Sequence, residues 1–418
     1  MQTINEPKTK QVLSSSGEVE MIAIEPGPKL TKLASQPLWD LAFRPWFLAA
    51  ALSSVVSITV WILFLHGQFL GLATAGLSPV IWHIHEMLFG FGATIAVAFL
   101  LTAAQTWTNR RSINGLPLMM LTLIWLAVRV LIWSADPNLL MLAVALQATW
   151  WLVSIAYIAS MVIKSSSNRN YQFIPLLLAM MALNIGFLLA DINGHTELAL
   201  HLSRSAILLF GLLVGIIGGR VIPFFTGRGA DNANVKTTPL LDKLIPIATL
   251  LGVTVFFTGY FIQLPFTPAP LLILAGVLHL LRLLNWNSIA TLKVPLLWSL
   301  HGSYLALALG LIALGLSYHI ELLRFADALH LITVGTIGAM ILAMIARVSL
   351  GHTGRALKPH FSINIAFMLI LLGALARVIL PLVQQPILAW DISALCWIVA
   401  FSLFLWHYSS ILLSARQQ

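Results

Sequence analysis

Residues 78–110 read SPVIWHIHEMLFGFGATIAVAFLLTAAQTWTNR, and apart from His83, His85 and Glu86 the stretch is apolar from 80 to 104. About 20 apolar residues suffice for an α-helix to cross the hydrocarbon of a bilayer. The Ser-Pro start suits a helix N-terminus, with Ser78 as cap and Pro79 in the first turn. The ending, TAAQTWTNR at 102–110, has counterparts in RVIPFFTGR at 220–228 and RVSLGHTGR at 347–355. Each closes an apolar run, and successive copies lie four runs apart. Seventeen residues before Thr102 stands His85; the same step from Arg347 reaches His330, and from Arg220 it reaches Ser203. Gly90 and Gly335 correspond in the same way. A repeat of an even number of helices keeps its orientation in the membrane. The spacing therefore predicts an all-α polytopic membrane protein whose transmembrane helices form three four-helix repeats around a pseudo-threefold axis.

Composition agrees with this class. Of 418 residues, 59% are hydrophobic and 9% charged, with a mean hydropathy of +0.93, whereas soluble chains carry about a quarter charged residues. Twelve apolar spans are expected, near 43–66, 80–104, 116–134, 138–163, 173–190, 199–222, 241–263, 267–285, 293–317, 322–347, 361–381 and 387–413. Residues 1–38 are polar, lack the pattern of a signal peptide and are expected to be a disordered tail. The remainder, 39–418, is expected to be one membrane domain with repeat units of about 39–170, 171–290 and 291–418.

The net charge of +9 reports topology and does not point to nucleic acid. Arg110, Arg111, Lys164, Arg228, Lys243, Lys293 and Arg355 lie after even-numbered spans or at the start of the next, while Asp136, Asp191, Glu197, Glu321 and Asp391 occupy the opposite loops, with Arg324 the main exception. Positive loops stay in the cytoplasm, so both termini are expected there and the bilayer is expected to be the inner membrane. The lone Cys396 has no intrachain partner, and no C-x-x-C-H stretch occurs, which excludes covalent c-type haem attachment. Walker-type glycine loops, zinc-finger cysteine spacing and a nucleophile elbow are also absent from the sequence.

The intramembrane histidines carry the chemistry, because ionisable groups in hydrocarbon are functional by default. His85 lies about six residues into span two and His330 about eight into span ten, roughly 9 and 12 Å deep from the same side. Neutral imidazoles on facing helices suit the axial positions of a haem b iron. His83 points about 200° away from His85, toward a second cofactor or a structural hydrogen bond. Glu86 is a candidate proton carrier, a partner fixing an imidazole tautomer, or packing glue between helices. On span nine His301 precedes Tyr304 by one turn, a pair suited to metal binding or proton transfer. His352 lies 22 residues beyond His330, roughly 33 Å along a helix, and is expected in a network with Arg347 and Arg355. The metal-ligand candidates are thus His83, His85, His301, His330 and His352. Arg129 on span three and Arg377 on span eleven would meet the haem propionates bidentately or snorkel to the interface. His66, His195, His319, His360 and His407 are read as structural. His201 and His279 stay undecided, with packing slightly favoured.

Five stretches carry a family resemblance: LAFRPWFLAA at 41–50, WHIHEMLFGF at 82–91, GGRVIPFFT at 218–226, PLLWSLHGSY at 295–304 and ALHLITVGTIGAMILAMIARVSLGHTGR at 328–355. Together they resemble the NnrS family across nearly the whole membrane portion. The resemblance implies a haem- and copper-containing membrane protein of the nitric oxide response in denitrifying bacteria under nitrosative stress. A more distant likeness links the twelve-helix, threefold layout to the catalytic subunits of haem-copper oxidases and nitric oxide reductases, whose second and tenth helices supply haem histidines. Span seven here has no histidine, so a conventional binuclear centre is not expected. The expected function is binding and detoxification of nitric oxide, with reduction as one route and His301, Tyr304 and Glu86 as its catalytic candidates. A non-enzymatic nitric oxide sensor and a transporter are the alternatives. The sequence names no electron donor.

Overall fold

A computed structural model describes residues 28–71 and 76–417. The expected polar tail therefore lies outside the described residues as far as residue 27. Beyond it come a short helix α1 (Pro28–Ala34) and a 3-10 turn at Pro37–Trp39. The described chain is helical, with no strand among the described residues. The long helices are α2 (Phe43–Leu65), α3 (Pro79–Thr108), α4 (Gly115–Leu131), α5 (Pro137–Lys164), α6 (Phe173–Ile192) and α7 (Thr196–Gly229). They continue with α8 (Pro239–Phe261), α9 (Ala269–Leu284), α10 (Pro295–Leu316), α11 (Phe325–His352), α12 (Phe361–Leu382) and α13 (Pro386–Leu413). Among the described residues, ten helices are long and apolar enough to cross a membrane; α4 and α9, of 17 and 16 residues, are apolar but shorter.

Helix starts follow local rules. Proline occupies the first turn of α3, α5, α8, α10 and α13, where its missing N–H costs nothing. Asp136 caps α5 by accepting from the Asn138 N–H at 2.8 Å. The expected cap at Ser78 takes another form. Its side chain does not cap α3; instead Asp191, at the end of α6, accepts from the Ser78 N–H and hydroxyl, both at 2.7 Å. A carboxylate reaching from a neighbouring helix serves the exposed amide better than the local hydroxyl, because it also favours the positive end of the helix dipole.

Burial separates inner from outer helices. In α3 and α11, 78% and 89% of the apolar window is buried, against 28% in α2, α8 and α12. The outer helices turn apolar side chains such as Val130, Phe361 and Trp406 outward, as lipid-facing helices do. Both inner helices also change winding at matching places. Residues His85–Ala93 of α3 and Leu331–Gly338 of α11 run as π-helix. The hydroxyls of Thr94 and Thr336 donate to the carbonyls five residues back, Phe89 and Leu331, at 3.0 and 3.4 Å. Such widened turns are frequent at functional sites. Gly90 and Gly335 lie inside these segments, where a Cβ at Gly335 would stand 3.0 Å from Ala306 Cβ and 3.1 Å from Ala374 Cβ. Glycine there permits the close approach of α10 and α12.

Candidate cofactor site

A cavity of about 430 Å³ lies between α2, α3, α7, α11, α12 and α13. Its wall is mainly aliphatic and aromatic, and the polar groups entering it include His83, His330, Arg204, Arg377, Ser203 and Thr333. His83 is the fifth residue of α3 and His330 the sixth of α11. At 1.5 Å per residue they therefore lie about 6 and 8 Å from helix starts on the same side. The Trp61 indole stacks on the His83 ring with centroids 4.5 Å apart and planes 13° apart. His83 Nδ1 is buried and has no hydrogen-bond partner in the protein. His330 Nδ1 lies 2.6 Å from the Ala326 carbonyl oxygen, so this nitrogen donates and Nε2 is left with a free lone pair. A metal-ligating imidazole has this arrangement, with its second nitrogen fixed by a carbonyl. Two imidazoles with nitrogens available, lining one largely apolar cavity, are residues that would be able to hold a haem.

His85 is not part of this wall. It is fully buried on the other side of α3, with Nδ1 3.0 Å from Glu86 Oε1 and with Nε2 unpartnered. Phe89 and Phe187 pack against its ring at centroid distances of 6.2 and 6.0 Å. The expected pairing of His85 with His330 thus joins two residues of matching chain position but different facing. Helical geometry is the reason: residues two apart point about 200° from each other. The winding also changes at His85 in α3 but only after His330 in α11.

The two arginines are held internally. Arg129 Nε approaches Glu86 Oε1 at 2.9 Å, although its N–H is not aimed at the oxygen. The same guanidinium donates to Gln147 Oε1 at 3.3 Å and lies 5.0 Å from the Trp125 ring centroid. Arg377 donates to Asp327 while also lining the cavity. Snorkelling is unnecessary for either, since a buried carboxylate offsets each buried cation. Arg129 is absent from the cavity wall, and the second cavity arginine is Arg204. Sequence reasoning missed Arg204, although a signal existed: it follows Ser203, the repeat-equivalent of His85 and His330.

His301 and Tyr304 are neighbours on α10 but serve different networks. His301 lies between the hydroxyls of Thr226 and Ser288, each 2.8 Å from a ring nitrogen. The Tyr304 hydroxyl instead lies 2.6 Å from His279 Nδ1 and accepts from Arg282 Nε at 2.8 Å. Trp286 is the only ring packed against both, with centroids 6.2 and 4.7 Å away among the described residues. His352 stands apart, against Phe43 at 5.6 Å. Its expected arginine partners are occupied elsewhere: Arg347 lies over the Phe225 ring at 3.8 Å, and Arg355 donates to the Ser414 hydroxyl at 3.1 Å. No three His, Cys, Asp or Glu side chains converge on a metal-sized point among the described residues. Ligation by two imidazoles needs no such cluster.

The family described as NnrS protein matches residues 37–416. The chain belongs to the NnrS family. A comparison with curated proteins found no match.

Proposed function

We propose that this protein is a haem-containing membrane protein of the nitric oxide response that binds and removes nitric oxide. The observation that carries the reading is the pair His83 and His330 in one apolar cavity, each with a ring nitrogen free of protein partners. His83 and His330 would hold the haem, which supplies an iron able to bind nitric oxide. The Ala326 carbonyl accepts from His330 Nδ1 and raises the basicity of the other nitrogen, so His330 would be the stronger ligand. His83 has no such hydrogen bond at Nδ1 and would be the weaker one. Arg204 lines the cavity with no carboxylate partner among the described ion pairs and would meet a propionate, and Arg377, which lines it while donating to Asp327, would do so only with the charge that Asp327 leaves. The aliphatic and aromatic lining excludes water and suits a small uncharged ligand arriving through the membrane.

Beside this site, Glu86 and His85 form a buried pair one helical face away, a place to hold a proton for the bound ligand. In the membrane, α4 and α9 are read as crossing with the ten longer helices. That gives twelve spans in three repeats, with both termini in the cytoplasm and the inner membrane as location. Optical spectra of the purified protein, oxidised and reduced, with and without nitric oxide, test the reading. Soret and α bands lost in His83→Ala and His330→Ala are expected, with His85→Ala retaining them. Anaerobic consumption of nitric oxide would mark an enzyme; binding without consumption would favour the sensor. A purified protein without haem bands sinks the proposal.

A further inference from the structure

The ends of α3 and α5 meet in a second pocket. Asn109 closes α3 in a left-handed conformation, with φ of 51°. The chain then places Arg110 and Arg111 beside Lys164, the last residue of α5. Asn109, Arg110, Arg111, Ser160, Met161 and Lys164 line a pocket of about 330 Å³. Arg110 Nη2 donates to the Lys164 carbonyl at 2.9 Å, which ties the two helix ends together and orients the guanidinium. No carboxylate lines the pocket, and none of the ion pairs among the described residues involves these three cations.

Cations at helix C-termini have an ordinary explanation in the helix dipole. Each C-terminus carries about −0.5 elementary charge, so the two helix ends together account for about one of the three cations. An excess of about two positive charges is left at a place where a bilayer has its headgroups. Ile163, adjacent in sequence to the pocket residue Lys164, is an apolar side chain 55% exposed on α5. Basic pockets between transmembrane helices are suited to anionic headgroups, and arginine forks fit phosphate oxygens bidentately.

We propose that this pocket binds the phosphate of an anionic phospholipid headgroup, with the acyl chains lying along α5 beside Ile163. The site is separate from the histidine cavity and does not depend on haem. Native mass spectrometry of the detergent-purified protein titrated with phosphatidylglycerol, phosphatidylcholine or inorganic phosphate tests it. The expected result is retention of phosphatidylglycerol over phosphatidylcholine, weakened at least tenfold in Arg110→Gln/Arg111→Gln/Lys164→Gln. The control Lys236→Gln/Lys243→Gln/Lys293→Gln removes equal charge from other loops and should retain the lipid. Arg110→Lys/Arg111→Lys keeps the charge and guards against misfolding; it should weaken retention through loss of the forked contacts. Equal loss in both glutamine triples, or no preference between the two lipids, overturns the proposal. Displacement of the lipid by millimolar phosphate would assign the pocket to a free anion instead.

Discussion

Trp61 lies flat on His83, with ring centroids 4.5 Å apart and planes inclined by 13°. The indole belongs to α2 and the imidazole to α3, so the stack fixes an intramembrane ligand candidate from a neighbouring helix. An imidazole without a hydrogen bond at Nδ1 has little else to hold its ring orientation. Aromatic contacts of this kind contribute about 0.5–1.5 kcal/mol beyond area burial. Trp61→Leu should therefore weaken haem retention by roughly 2- to 12-fold, since about 1.4 kcal/mol is tenfold in an equilibrium constant. Haem transfer to apomyoglobin measures this. An unchanged transfer rate would mean that Trp61 does not position His83.

Arg129 and Arg377 are each paired with a buried carboxylate, Glu86 and Asp327, but only Arg377 also lines the cavity. The two arginines should therefore behave differently. Arg204→Gln and Arg377→Gln are expected to shift the haem midpoint potential or lower occupancy, whereas Arg129→Gln should mainly reduce stability. Redox titration of the three variants decides the matter. A potential that moves with Arg129 but with neither cavity arginine would contradict the assignment.

Removing one member of a buried ion pair typically costs about 3–5 kcal/mol, because the remaining charge is left uncompensated. Glu86→Gln and Arg129→Gln should each lower the thermal unfolding midpoint. The double variant should be less destabilised than the sum of the two. A double-mutant cycle with no coupling would mean that the 2.9 Å approach contributes nothing to stability.

The stretch 215–219 of α7 offers a packing test. A Cβ at Gly215 would stand 2.7 Å from His279 Cε1, and one at Gly219 would stand 2.6 Å from Arg282 Nη1. Neither neighbour is free to move. Arg282 Nη2 donates to the Gly215 carbonyl at 2.7 Å, and His279 Nδ1 lies 2.6 Å from the Tyr304 hydroxyl. Gly215→Ala and Gly219→Ala should each cost about 1–3 kcal/mol, the usual penalty of overpacking. Gly227, with nothing within 4 Å of its Cβ position, is the control, and alanine there should gain up to about 1 kcal/mol of helix propensity. Equal melting temperatures for all three variants would show that α7 is not tightly packed against His279 and Arg282 at Gly215 and Gly219.

The sequence by itself determined the helical class and the position of each long helix. Lipid cannot satisfy backbone hydrogen bonds, so apolar runs must form helices, and that constraint acts on each segment locally. It also singled out His83, His85, Glu86, His330, Arg129 and Arg377, because ionisable groups are conspicuous in such runs. Tertiary structure alone decided which of them meet. Where the winding becomes π-helical, at His85 in α3 and after His330 in α11, each extra residue turns the following side chains by about 100°, and no apolar pattern records the change. Carboxylates distant in sequence then occupied the arginines: Glu86 took Arg129 and Asp327 took Arg377. For the same reason Tyr304 turned to His279 and Arg282 while His301 settled between Thr226 and Ser288. A buried polar group must find a partner wherever the packed helices place one, and only the packing of all the helices together places His83 rather than His85 beside His330.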